Sequence, residues 1–183
     1  MYNNNMRTIL VDINGRETDI PVIVDEAYNE EPNFSLDGEA ELTSFCADGL
    51  MPYVTGADVI LTTKKHGILL GYELAKRLGH DRFAVAKKSE KIYILEGLSI
   101  SLRGKDGSVQ NLFLSTADTE RLRGKKVAIV DAFTATGDTL LGLEKLVEKA
   151  GGTVHSRNFV LLKEPYGADK DSINYLGVIP EIG

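Results

Sequence analysis

The sequence predicts an α/β protein built on a doubly wound, mostly parallel sheet. Short apolar runs recur at Asp58-Val59-Ile60-Leu61, Phe83-Ala84-Val85-Ala86 and Val127-Ala128-Ile129-Val130-Asp131. Helix-period stripes follow them, one through Leu70, Leu74 and Leu78, another through Leu140, Leu143, Val147 and Ala150. Short apolar strands alternating with helices imply a parallel sheet covered on both faces. A chain of 183 residues with 43% hydrophobic composition suits a single domain over 1–183, with a small β-rich hood appended to it.

The elements follow in order. Thr8 to Ile13 alternates like a strand, turns at Asn14-Gly15 and resumes at Ile20-Pro21-Val22-Ile23-Val24, a hairpin pattern. A polar, acidic loop from Asp25 to Asp37 leads to a helix from about Glu39 to Met51, which Pro52 is expected to stop. The α/β series then runs from Asp58, with the second helix closing at Gly79. It is interrupted over roughly Lys87 to Arg123 by a second hairpin, Leu98–Leu102 against Val109–Leu114, joined by Gly104-Lys105-Asp106-Gly107. After Val127–Asp131 and its helix, Gly151-Gly152 marks a stop and Asn158 to Leu162 reads as a further strand. The hood is expected from about 1–35, 92–115 and the tail Leu176 to Ile182.

Charge and composition narrow the function. The net charge of -6, from 21 Lys plus Arg against 27 Asp plus Glu, gives no general attraction to a nucleic-acid backbone, so an anionic ligand must be held locally. Cys46 is the one cysteine, which rules out an internal disulfide, and its apolar neighbours mark it as a buried helix residue. Without a signal-like start or an apolar run of membrane-spanning length, a cytoplasmic setting with no membrane partner is expected. His66, His80 and His155 are dispersed, so no dedicated metal cluster is expected.

The segment Val127 to Thr139 carries the sharpest chemistry. In open parallel sheets ligands collect beyond the carboxyl ends of the strands, where small residues deliver backbone amides at the next helix N-terminus. Here a buried strand ends in Asp131, and Ala135-Thr136-Gly137-Asp138-Thr139 forms a tight turn with two hydroxyls opening a helix, a donor set suited to phosphate. The bland alternative makes Thr136 or Asp138 a simple helix cap. The run Val-Ala-Ile-Val-Asp-Ala-Phe-Thr-Ala-Thr-Gly-Asp-Thr resembles the phosphoribosyl-pyrophosphate signature of the type I phosphoribosyltransferases, most nearly the adenine-specific branch. That resemblance implies the type I phosphoribosyltransferase fold, Asp131 on the ribose hydroxyls and Ala135 to Thr139 around the 5-phosphate. The chain departs from the family in having Ala132 where a second acid usually follows, and in carrying Asp138 inside the turn.

Two further segments extend the resemblance. Thr62-Thr63-Lys64-Lys65-His66-Gly67 resembles the family's pyrophosphate loop, implying pyrophosphate contacts from Lys64, Lys65, His66 and Gly67; solvated loop charges are the alternative. Lys87-Lys88-Ser89-Glu90-Lys91 matches the basic segment of adenine phosphoribosyltransferases, which carries Lys87, Lys88 and Lys91 over as pyrophosphate contacts. Ile94-Leu95-Glu96-Gly97 looks like the branch's Leu-Glu segment and makes Glu96 a second catalytic candidate beside Asp131; an exposed hairpin carboxylate weighs equally. The implied reaction moves the 5-phosphoribosyl group of phosphoribosyl pyrophosphate to a purine base, adenine favoured, with Mg2+ held mainly by the substrate pyrophosphate. The family resemblance also implies a homodimer. A competing expectation is a non-catalytic phosphoribosyl-pyrophosphate- or nucleotide-binding regulator on the same fold, prompted by Ala132. A dinucleotide-binding enzyme lacks its G-x-G-x-x-G after the first strand.

Overall fold

The computed structural model describes residues 7–24, 30–64, 67–89, 97–103, 107 and 109–182. A three-stranded antiparallel sheet comes first, from β1 (Thr8–Ile13), β2 (Arg16–Val24) and β3 (Glu30–Pro32). Asn14 and Gly15 both take positive φ, 54° and 86°, the backbone that a two-residue hairpin turn requires. Helix α1 (Ala40–Val54) follows, then β4 (Val59–Thr63), α2 (Ile68–Arg77) and β5 (Ala84–Ser89). β6 (Gly97–Arg103) and β7 (Val109–Ser115) form the second hairpin, and α3 (Thr116–Leu122) leads into β8 (Lys126–Thr134), α4 (Asp138–Lys149), β9 (Thr153–Lys163) and β10 (Asn174–Ile179).

Seven strands make the main sheet in the order β10-β9-β8-β4-β5-β7-β6. Its first five are mutually parallel, while β7 runs antiparallel to both β5 and β6. Helices cover both faces, as the alternating pattern requires. On one face α1 and α2 bury Leu42, Cys46, Leu50, Leu70 and Leu74 against Ala128, Val130 and Ala132, together with Val11, Ile13 and Ile20 of the small sheet. On the other, α4 sets Leu140, Leu143, Leu146 and Val147 against Val127 and Ile129, and the hairpin strands add Ile100, Leu102, Leu112 and Leu114.

Two segments expected in the hood are hydrogen-bonded into the main sheet. The hairpin within 92–115 joins it because β5 runs past its pairing with β4, which ends at Ala86, and Lys87 to Ser89 pair with Phe113 to Asn111. The tail forms β10, the opposite edge strand, paired with β9 from Asn174 to Ile179. β10 still supports the first hairpin. The Asn14 amide donates to the Leu176 carbonyl at 2.9 Å, and a Cβ on Gly177 would stand 2.3 Å from the Asp12 carbonyl oxygen. Arg16 pairs with Glu41 at 3.0 Å and lies 5.5 Å over the Phe45 ring, which fixes the hairpin to α1.

Pro52 does not stop α1. The helix runs to Val54 with Pro52 in its last turn, where the ring withholds one N–H from the helix ladder without ending it; the Thr55 amide still reaches the Met51 carbonyl at 3.1 Å.

Candidate functional site

The connections of the main sheet reverse direction between β4 and β8. From β4 the chain moves to β5 on one side, and from β8 it moves through β9 to β10 on the other. A crevice opens outside the carboxyl ends of such a strand pair. The loop after β4, ending at Gly67, and the turn after β8, Ala135 to Gly137, flank it.

Asp131 stands at the mouth of that crevice with 4% of its surface exposed. Leu61 pairs with Ile129 across the parallel strands, so two residues further along Thr63 and Asp131 share a face. The Thr63 hydroxyl donates to Asp131 Oδ2 at 2.6 Å and the Ala132 amide donates to Oδ1 at 2.9 Å. A Cβ built on Gly67 would lie 3.2 Å from Asp131 Oδ1 and 1.6 Å from Thr62 Oγ1, so only glycine lets the loop after β4 close over this strand end. Ala132 faces the opposite side of the sheet, 1% exposed in the α1 and α2 core.

Gly137 takes the N-cap position of α4 at φ 81°, a left-handed conformation, so neither Thr136 nor Asp138 is the N-cap residue. Thr136 instead donates its hydroxyl to Asp138 Oδ2 at 2.9 Å, and the Asp138 amide approaches Thr136 Oγ1 at 3.3 Å. That contact draws the Asp138 carboxylate toward the Thr136 side chain. Thr139 donates to Gln110 Oε1 at 3.3 Å and accepts from Lys88 Nζ at 2.7 Å, so the β5 lysine reaches the α4 N-terminus.

Of the other lysines, Lys64 is exposed just past β4, its amide donating to the Ala86 carbonyl at 2.9 Å, and Lys87 is exposed on β5. Lys65, His66, Lys91 and Glu96 lie outside the described residues. The structure therefore brings Asp131, Gly67, Lys88 and Ala135 to Thr139 to one end of the sheet.

Two contributions were missed in the sequence. Thr63 is one, and its signal was a polar pair ending an otherwise apolar strand that is buried along its whole length. The other is the loop after β9: the Gly167 amide donates to the Ala135 carbonyl at 3.1 Å, and a Cβ on Gly137 would meet Ala168 Cβ at 2.9 Å and the Tyr166 hydroxyl at 3.3 Å. This loop braces the 135–139 turn from behind, and Pro165-Tyr166-Gly167 at a strand end was its only trace.

The family model described as phosphoribosyl transferase domain matches residues 36–179. The chain belongs to the phosphoribosyl transferase family. It is 34% identical over 131 residues to an adenine phosphoribosyltransferase of Methanococcus maripaludis, covering 71% of this chain and 70% of that protein. It is 36% identical over 115 residues to an adenine phosphoribosyltransferase of Clostridium beijerinckii, covering 62% of this chain and 63% of that one. The solved adenine phosphoribosyltransferase of Thermoanaerobacter pseudethanolicus superposes with a TM-score of 0.65 at 26% identity, over 88% of this chain and 93% of that one.

Proposed function

We propose that this chain transfers the 5-phosphoribosyl group of phosphoribosyl pyrophosphate to a purine base, adenine favoured, forming a nucleoside monophosphate. The observation that carries this reading is the pairing of a buried carboxylate, Asp131, with the amide-lined turn 135–139 at one strand end, facing the loop after β4 across the crevice. A sugar phosphate needs acceptors for its hydroxyls and donors for its phosphate, and these two features supply them side by side.

In the reaction the C1–O bond to pyrophosphate breaks, the leaving group takes the electron pair, and a ring nitrogen of the base bonds C1 and gives up its proton. The protein's part is alignment and charge. Asp131 accepts from the ribose hydroxyls and its negative charge favours the cationic ribosyl ring. Ala135, Thr136, Gly137, Asp138 and Thr139 hold the 5-phosphate through backbone amides and hydroxyls. Lys64, Lys65, His66, Gly67, Lys87, Lys88 and Lys91 are assigned to the pyrophosphate, and Glu96 to the base and its departing proton.

Mg2+ takes oxygen ligands and keeps much of its water. Asp131 at the mouth of the crevice is an oxygen donor of that kind, so the site suits an ion held mainly by the pyrophosphate oxygens. When bound, it would neutralise charge on the leaving group. A homodimer belongs to the same reading, supported by the exposed Ile68, Leu69 and Tyr72 along α2.

A coupled assay with adenine, hypoxanthine, guanine and xanthine tests the function. Turnover with adenine above the others is expected. No turnover with any base, alongside calorimetric binding of phosphoribosyl pyrophosphate, would replace the enzyme with a binding protein.

A further inference from the structure

We propose that Thr63 is a positioning residue for Asp131, orienting the single ribose-facing carboxylate from the neighbouring strand. The proposal rests on the reading of Asp131 as the ribose acceptor. Thr63 is fully buried and its hydroxyl lies 2.6 Å from Asp131 Oδ2, although the two residues are 68 apart in the chain. An ionised carboxylate only accepts, so the proton in this contact must be the threonine's. The adjacent Ala132 amide also donates to the carboxylate, but it is part of the same strand and cannot tie it to β4. The Thr63 bond does tie Asp131 to β4.

The residue after Asp131 cannot take over this task. Successive strand residues point to opposite faces, and Ala132 is buried in the core on the far side. A cross-strand bond reaches the acceptor instead. Thr62, one position earlier, has its hydroxyl against Gly67 and without a hydrogen-bond partner among the described residues. Of the two adjacent threonines, Thr63 is the one that bonds the carboxylate.

Isothermal titration of the full chain with ribose 5-phosphate and with inorganic phosphate separates positioning from general disruption. Thr63→Val keeps the shape and removes the donor; it should weaken ribose 5-phosphate binding about ten- to a hundredfold while leaving inorganic phosphate unchanged. Thr63→Ser should restore most of the loss. In an Asp131→Asn background, Thr63→Val should add nothing further. Unchanged ribose 5-phosphate binding in Thr63→Val, with Asp131→Asn impaired, would overturn the proposal alone. So would equal losses for both ligands, or a Thr63→Ser as poor as the valine. Unimpaired binding in Asp131→Asn would remove the ribose reading and this proposal together.

Discussion

Asp131 and Gly137 concentrate the site's demands on single positions. Asp131→Asn keeps the size and removes the charge from a carboxylate that holds two protein hydrogen bonds, and calorimetry should show affinity for phosphoribosyl pyrophosphate falling about ten- to a hundredfold. Gly137→Val places a β-branched residue at φ 81° and its Cβ 2.9 Å from Ala168, so loss of binding is expected together with a lower Tm. Away from the site, burial pushes the Cys46 thiol from 9.0 up to about 12, the nearby Arg16 opposing it only partly. The unfolded chain then releases that proton near 9.0 while the folded chain keeps it. The thiol's contribution is intact below pH 9.0 and is lost as the pH climbs toward about 12. Urea unfolding at pH 8 and pH 10.5 should show a larger drop for the native chain than for Cys46→Ala. Much of the candidate site was legible in the sequence: the acid at a strand end and the small-residue turn announce themselves locally. Thr63 was not, since its significance lies in a partner on another strand.

At the scale of elements, α4 and the β6–β7 hairpin are joined through Gly142. A Cβ there would come within 2.4 Å of both Leu102 Cδ1 and Leu112 Cδ1, so the helix can approach the hairpin only where a side chain is missing. Helix propensity alone would reward Gly142→Ala by about 1 kcal/mol. Overpacking should reverse that sign and cost about 1–3 kcal/mol, and a thermal melt showing a raised Tm would refute the close-packing argument. The hairpin itself could be read from its turn residues and alternation. Its destination could not, because an antiparallel ribbon carries no mark of which sheet edge will accept it. Lys87 to Ser89 of β5 made that edge available, and the apolar Leu112 and Leu114 had a core to enter there. β10 was hidden for a similar reason: its half-buried pattern lacks the apolar run by which β4 and β8 identify themselves.

For the whole molecule, the reversal of strand order between β4 and β8 divides the main sheet into two wings that wind away from a shared seam. At the ligand end of that seam the buried bond from Thr63 to Asp131 links the wings, and Lys88 to Thr139 links them at the surface. A sugar phosphate lodged there would touch the last residues of both strands and act as a rivet through the middle of the sheet. Saturating it at a hundred times its Kd should stabilise the fold by about 2.7 kcal/mol, visible as a rise in Tm with ligand concentration. The core cluster on each face takes side chains from both wings, so the strands at the seam already share their packing. Amide exchange in β4 and β8 should then fall together, although the two strands belong to opposite arms of the chain path.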